Sequence, residues 1–173
     1  MLEWFKSDKK KIFLITFFIK GLLMYIFWVL FYDNWLINTQ LINSGLINHL
    51  VKTNAALLNF FGFTFFEYDQ TIGIDGSHGV FIGDPCNGLS LFALFAGFVI
   101  AFTGKIKYKL PFIAVGLLII HSLNIARIFT LTLLAKFYPD TLDFNHKYTF
   151  TYLIYSVIFV MWMVWVKKYA QKK

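Results

Sequence analysis

The chain has 173 residues, of which 58% are hydrophobic, 21% are aromatic and only 14% are charged. A soluble domain carries about a quarter charged residues, so the composition excludes that class and indicates an integral membrane protein. The net charge of +7 does not indicate a nucleic-acid-binding protein, because the lysines lie in short clusters beside apolar runs. The single cysteine excludes an intramolecular disulfide and a multi-cysteine metal site.

The first predicted element is an apolar run over residues 12–31, which is long enough to cross a hydrocarbon core of ~30 Å. Basic residues precede this run and place the N-terminus in the cytoplasm by the positive-inside rule. Because no small-residue cleavage site is present, we expect a retained anchor and not a removed signal peptide. Lys20 interrupts the run, and we interpret it as a snorkelling residue or as a sign that the span is shifted, in preference to a functional ammonium.

Residues 33–85 are predicted to form a segment at the outer face of the membrane. From Ser44 onward apolar residues recur at helical spacing, with Ser44 as the N-cap and Gly62 as the residue just past the helix. This pattern indicates an amphipathic helix in the interface or against the bundle, with a membrane-spanning hairpin within 33–66 as the competing topology. Alternating apolar residues over 72–82, about a Gly-rich turn, predict a short β-hairpin. The apolar stripe of the helix consists of Leu46, Ile47, Leu50, Val51, Leu57, Leu58 and Phe61.

Three further apolar runs, at about 88–102, 110–137 and 148–166, are predicted to span the membrane. Lysines follow the first and the last of these runs, which indicates that both return the chain to the cytoplasm. The 17 steps from Leu110 to Arg127 cover about 26 Å at ~1.5 Å per residue. We therefore expect Arg127 near the outer boundary of the hydrocarbon.

The predicted fold is an all-α polytopic membrane protein with four transmembrane helices, an outer interfacial helix and a short β-hairpin. Five or six spans are the alternative if part of 33–66 crosses the membrane. We expect a single domain over 1–173, with 33–85 as the outer-face segment and 86–166 as the core helices. Eleven of the 16 Lys and Arg residues fall in the proposed cytoplasmic segments, in groups of four, three and four. This asymmetry supports four spans with both termini in the cytoplasm.

The only cysteine, Cys86, follows Pro85 where a polar segment turns into an apolar run, so we predict that it lies at a helix N-terminus. The amide groups and the positive dipole end there stabilise a thiolate. The predicted topology places Cys86, Arg127 and His146 at one membrane face. Each also has a structural interpretation, as a packing thiol, a lipid-phosphate ligand and an interfacial loop residue respectively.

A thiol, an imidazole and a guanidinium at one face permit acyl transfer. In such a reaction the thiolate attacks a carbonyl, the imidazole carries the proton to the leaving amine, and the guanidinium stabilises the oxyanion. Arg127 is assigned to charge stabilisation because a guanidinium does not deprotonate in proteins. Asn124 lies on the same helical face and could orient the guanidinium or a substrate amide. Two other histidines compete with His146 for the role of base: His121, two turns deeper than Arg127, and His78, in the predicted hairpin loop.

A metal site from Asp75, His78 and Asp84 lacks a recognised ligand spacing, so we predict no metal and no cofactor. The competing functional hypothesis is a non-enzymatic membrane assembly factor or a small transporter subunit. A transporter places polar groups near the midplane, where only Lys20 and His121 fit. A rhomboid-type serine protease is disfavoured because the chain has no Gly-x-Ser-x-Gly sequence.

The second half of the chain, over 83–166, resembles the exosortase/archaeosortase family of membrane-embedded cysteine transpeptidases. The resemblance depends on the order, the spacing and the membrane placement of three motifs. The chain is shorter than full-length exosortases, which have more spans, and it is similar to the short members of the family. The motifs are Pro85-Cys86-Asn87-Gly88-Leu89 at the start of one span, Asn124-Ile125-Ala126-Arg127-Ile128 toward the end of the next, and His146 ahead of the last.

This resemblance implies that Cys86 is the nucleophile, Arg127 the transition-state stabiliser and His146 the base. The residues expected to bind or orient the substrate are Asn124, Asn87 and Gly88. The expected partners are exported proteins whose C-terminal sorting signal combines a short motif, a transmembrane helix and a basic tail. The enzyme would cut this signal and pass the protein to water, a lipid amine or a glycan. Membrane lipid is the other expected partner, and no nucleic acid is expected.

Overall fold

The computed structural model describes residues 40–83 and 86–169, together with positions 15, 16, 19, 22, 23, 26 and 30. These seven positions are helical and exposed, and they fall within the predicted first span. The remainder of that span, including Lys20, lies outside the described residues, as do Asp84 and Pro85.

The described chain is mostly helical, as predicted, and carries one small antiparallel sheet of three strands that lie in chain order. A 3-10 turn over Pro139–Thr141 and a π-helical turn over Asn145–Thr149 flank a short helix, Leu142–Phe144. The elements are α1 (Gln40–Phe60), β1 (Phe65–Tyr68), β2 (Thr71–Ile74), β3 (Val80–Phe81), α2 (Leu89–Ala101), α3 (Ile106–Phe137), α4 (Leu142–Phe144) and α5 (Phe150–Lys168).

Two helical segments of the described chain, Ile106–Phe137 and Pro139–Lys168, are long and apolar enough to cross a membrane. In the second segment every charged residue lies before Phe150 or after Val166, so α5 forms its apolar part. The helix α2 is apolar but has only 13 residues. At ~1.5 Å per residue it measures about 20 Å, less than a hydrocarbon core of ~30 Å.

The helix α1 ends as the sequence predicts but begins earlier. Gly62 has a φ of 78°, its amide donates to the Asn59 carbonyl and the Phe63 amide donates to the Leu58 carbonyl, both at 3.0 Å. These two bonds form a Schellman motif, which a glycine accommodates without strain. The predicted N-cap at Ser44 is wrong, because the helix already begins at Gln40.

The predicted apolar stripe of α1 faces protein over most of its length. Ile47, Leu50 and Leu58 are almost fully buried, and α1 packs on α3 and on strands β1 and β2. Phe61 is 59% exposed, because it lies past the last helical residue. The helix therefore has a protein-facing side, so it is docked against the rest of the fold.

The predicted hairpin is present as the β2–β3 pair, in which Ile72 lies opposite Val80. A second hairpin, formed by β1 and β2, was not predicted. Its tight turn contains Asp69, whose φ of 53° is left-handed. Aspartate tolerates this conformation better than most residues, but the turn lacks the Asn-Gly or Asp-Gly pair that identifies such hairpins in a sequence.

Two hydrophobic cores meet along α3. The first, here called the sheet core, combines α1, the strands and the α3 residue Ile128. The second, the bundle core, combines α2, α5 and the α3 residue Ile120. Because Ile120 and Ile128 lie about 12 Å apart along one helix at ~1.5 Å per residue, the residues between them mark the junction of the two cores.

The two basic clusters of the described chain lie at one end of the bundle, here called the lysine end. Trp165 and Tyr169 at the end of α5 stack on each other, and both contact Phe112 near the start of α3. Gly104, in the loop between α2 and α3, also packs against the Trp165 ring. The sheet core lies at the opposite end. The lysine end is defined by Lys105, Lys107, Lys109, Lys167 and Lys168.

Candidate active site

Cys86 lies at the junction of the two cores, in the loop that leads into α2. Its side chain is half-buried and packs against the sheet core, and it is a free cysteine. Its amide donates to the Gly83 carbonyl at 2.8 Å, which closes the turn before the helix. The helix begins three residues later at Leu89, with Gly88 as its N-cap, so Cys86 lies just before the helix and not in its first turn.

The side chains of Cys86 and His146 are in contact. The Cys86 Sγ atom lies 3.5 Å from His146 Nε2, although the two residues are 60 positions apart in the chain. His146 belongs to the π-helical turn Asn145–Thr149, which immediately precedes α5. Because π-helical turns are rare and occur frequently at functional sites, this local geometry fits the placement of a reactive imidazole.

The charges around His146 favour the neutral imidazole. Burial lowers the pKa of His146 below its usual value, and the positive charge of Arg127 lowers it further. The Asp143 carboxylate acts in the opposite direction, and the nearby Lys147 adds a smaller lowering effect. A neutral imidazole can accept a proton from the adjacent thiol, whereas an imidazolium cannot.

Arg127 lines a pocket of about 190 Å³ between α2, α3 and α5. The positive charge of Arg127 lowers the pKa of His146, so the guanidinium lies close enough to His146 to act on it electrostatically. The pocket wall carries three hydroxyl groups besides the guanidinium, so it offers several hydrogen-bond donors to an anionic or carbonyl oxygen. The lining residues are Ser90, Leu91, Arg127, Thr151, Ile154 and Tyr155.

Asn124 holds the backbone of the cysteine loop. Its side chain is fully buried, and its Nδ2 atom donates to the Cys86 carbonyl at 2.8 Å. The predicted contact in which Asn124 orients the Arg127 guanidinium is not formed, because the Asn124 Oδ1 atom is buried without a hydrogen-bond partner. Asn124 also explains the glycine at position 88, because a Cβ there would lie 3.2 Å from Asn124 Nδ2. Gly88 has a φ of 85°, a conformation that glycine adopts without cost.

The Asn87 side chain forms an Asx turn with the first residue of α2, just before the N-cap Gly88. Its Oδ1 atom accepts the Leu89 amide at 2.8 Å, and its Nδ2 atom donates to Asn43 Oδ1 at 3.0 Å. Asn87 is 1% exposed and Asn43 is 7% exposed, so water has little access to this chain of bonds. Sequence reasoning missed Asn43. The sequence did contain a signal for it: Asn43 lies four residues before the buried Ile47, so its polar side chain falls on the apolar stripe of α1.

The two competing histidines lie elsewhere. His121 stacks on His49 with ring centroids 5.2 Å apart and lies 6.2 Å from the Phe92 ring. His78 is exposed in the loop between β2 and β3. Within the part of the chain that the structure describes, no three His, Cys, Asp or Glu side chains come together as metal ligands.

A family model described as transmembrane exosortase matches residues 9–170. The chain belongs to the transmembrane exosortase family. The predicted resemblance is thus confirmed, and the match extends well beyond the 83–166 region from which it was inferred. Searches of curated proteins and of solved structures each found no match.

Family membership and the apolar helices together identify the chain as a membrane protein. The exosortase family is one of cysteine peptidases and transpeptidases. In this exosortase-family chain, a thiol contacts an imidazole whose pKa is lowered by burial and by the charge of Arg127, and Arg127 lines a pocket. Nucleophilic acyl transfer uses groups of these three types: a nucleophile, a proton acceptor and a cation for a developing oxyanion.

Proposed function

We propose that the protein is a membrane-embedded cysteine protease or transpeptidase, with Cys86 as the nucleophile and His146 as the general base. The observation that supports this proposal most directly is the 3.5 Å contact between Cys86 Sγ and His146 Nε2. A structural thiol needs no such partner, since a buried cysteine packs as a small hydrophobe. A nucleophilic thiol does need one, because the thiolate is the reactive form.

The first half-reaction moves one proton and exchanges one bond. His146 takes the Cys86 proton, the thiolate attacks the carbonyl carbon of the scissile peptide, and a tetrahedral oxyanion forms. The resulting imidazolium then gives the proton to the departing amine as the C–N bond breaks. The products are a thioester on Cys86 and the released C-terminal segment.

The second half-reaction returns the enzyme to its starting state. A water molecule or an acceptor amine attacks the thioester carbonyl, His146 takes the attacking group's proton, and the Cys86 thiol is restored. Arg127 stabilises the oxyanion in both half-reactions, because its guanidinium is always charged and lines the pocket beside the pair. Asn124 fixes the backbone from which the thiol projects.

The proposed orientation places the site at the outer face of the membrane. The lysine end lies opposite the sheet core, and clustered lysines favour the cytoplasmic side. The Cys86–His146 pair would then meet exported proteins held by a C-terminal transmembrane helix. Such a substrate would arrive laterally from the lipid, with its scissile peptide at the level of the junction between the two cores.

Processing of a tagged substrate tests this function. The chain is co-expressed with exported proteins that end in a short motif, a transmembrane helix and a basic tail, each carrying a C-terminal tag. We expect wild-type protein to release the tag, and Cys86→Ser and His146→Ala to abolish release. His78→Ala is the matched control, because it removes an exposed loop histidine away from the site. Full processing by Cys86→Ser would disprove the proposal and favour a non-enzymatic assembly factor.

A further inference from the structure

The orientation of the Asn87 side chain is fixed by its two partners. The Leu89 amide can only donate, so Asn87 must present Oδ1 to it, and Nδ2 must point away. The group that meets Nδ2 must therefore be an acceptor, which is the Oδ1 atom of Asn43. Because Asn43 and Asn87 are both buried, solvent does not readily replace either bond.

Two amides thus hold the backbone that follows the nucleophile, between Cys86 and the start of α2. Asn124, from α3, binds the Cys86 carbonyl directly. Asn43, from α1, acts one residue further on, because it fixes Asn87 and so fixes the start of α2 at Leu89. The nucleophile loop is consequently tied to two different helices, and 44 residues separate Asn43 from its partner.

We propose that Asn43 is a positioning residue for the Cys86 nucleophile and that it acts through Asn87. This inference rests on the proposed function of Cys86. Without the Asn43 acceptor, the buried Nδ2 atom of Asn87 loses its hydrogen-bond partner. The Asn87 side chain then lowers its free energy by rotating toward another acceptor. That rotation withdraws Oδ1 from the Leu89 amide, which breaks the Asx turn at the start of α2 and displaces Cys86 from His146.

The chain supplies a matched control on the same helix. Asn54 is also buried on α1, but its Nδ2 atom donates to the Leu50 carbonyl of its own helix at 2.8 Å. Replacing Asn54 removes a buried amide of the same type without touching the cysteine loop. The comparison of Asn43→Leu with Asn54→Leu therefore separates a positional effect on Cys86 from a general loss of stability.

The experiment measures the rate of Cys86 alkylation by iodoacetamide across pH, in full-length protein purified in detergent. Because Cys86 is the only cysteine, every adduct reports this site. We expect Asn43→Leu to lower the rate about tenfold and to alter the pH profile, as the loss of one buried hydrogen bond would. Asn43→Asp keeps the acceptor oxygen and is expected to recover part of the lost rate, although its buried carboxylate also alters the pH profile. Asn54→Leu is expected to retain the wild-type profile.

Two results would overturn the inference. One is a wild-type pH profile in Asn43→Leu, and the other is an equal change in Asn43→Leu and Asn54→Leu with equal falls in thermal stability. If Asn43→Leu does not accumulate, Asn43→Ser replaces it, because its hydroxyl is too short to reach Asn87 and the same loss is expected. A double variant with Asn87→Leu should react no more slowly than Asn87→Leu alone, since both act on one path.

The alkylation assay also separates this inference from the proposed function. A changed profile in Asn43→Leu, together with full processing by Cys86→Ser, would support the positioning role and disprove the catalytic one. An unchanged profile in Asn43→Leu, together with lost processing in Cys86→Ser, would do the reverse. Each proposal therefore fails on its own measurement.

Discussion

At the scale of single residues, the candidate site depends on a histidine that stays neutral beside a thiol. Burial and the charge of Arg127 lower the pKa of His146, and the Asp143 carboxylate opposes them. Because its pKa is lowered, His146 is unprotonated at neutral pH to a greater extent than an exposed histidine is. An unprotonated imidazole can take the proton of the thiol, so His146 can act as a general base at neutral pH.

The first prediction concerns these two charges. Arg127→Gln should raise the pKa of His146, and Asp143→Asn should lower it further, because each removes one of the charges that act on the imidazole. The pH at which Cys86 alkylation reaches half its maximum should therefore increase in Arg127→Gln and decrease in Asp143→Asn. Asp140→Asn, in the exposed 3-10 turn, is the control. Equal profiles in all variants would show that His146 does not assist the thiol.

The second prediction concerns the glycine beside the nucleophile. Gly88→Ala places a Cβ at a φ of 85° and 3.2 Å from Asn124 Nδ2, so we expect a stability loss of about 1–2 kcal/mol and slower alkylation of Cys86. Gly45→Ala is the control, because a Cβ there meets nothing within 4 Å in the helix α1. It should increase stability by about 0.5–1 kcal/mol. Reversible unfolding in detergent measures both, and a neutral Gly88→Ala would contradict the strained loop.

At the scale of elements, α3 is the common support of both cores and of the site. The sequence predicted the apolar run that forms α3, with Asn124 and Arg127 in its second half, because a long apolar run is almost sufficient to predict a membrane helix. The same local patterns could not predict the partner of Asn87, since that bond joins residues 44 positions apart. They also missed β1, whose Phe65–Tyr68 strand pairs through an unusual turn at Asp69.

The third prediction concerns the crossing of α2 over α3. A Cβ at Gly116 would overlap the ring of Phe95, which is fully buried in the bundle core. Gly116→Ala should therefore destabilise the protein by about 1–3 kcal/mol, because an overpacked core must shift. Phe95→Leu in the same chain should recover part of that loss by making room. A Gly116→Ala protein as stable as wild type in reversible unfolding would mean that the helices cross further apart.

At the scale of the whole molecule, the thiol and the basic clusters lie at opposite ends. The sequence predicted this separation from the lysine distribution, and the aromatic contacts among Phe112, Trp165 and Tyr169 unite the two clusters at one end. Which membrane side each end faces follows from the positive-inside rule and stays a prediction. Whether a substrate can reach the site from the outer face depends on this orientation.

The fourth prediction tests that orientation in intact cells. A membrane-impermeant maleimide should label Cys86 without permeabilisation, because we expect the sheet core and the thiol to face outward. A variant with Cys86→Ser and Lys167→Cys moves the only thiol to the lysine end, and it should be labelled only after permeabilisation. Labelling of the Lys167→Cys variant in intact cells, with Cys86 protected in the native chain, would reverse the proposed topology.

The shortness of α2 has a consequence for the surrounding bilayer. A 13-residue helix measures about 20 Å, so if α2 crosses the membrane as predicted, the lipid beside it would have to thin, at a cost of fractions of a kcal/mol per Å of mismatch. Such a dimple would lower the headgroup region toward Cys86 and bring water to a peptide bond that a thicker membrane would keep dry. We expect faster processing in vesicles of short-chain lipids than in long-chain ones, and equal rates would exclude this effect. Membrane thickness would then help to determine where in a cell the proposed processing takes place.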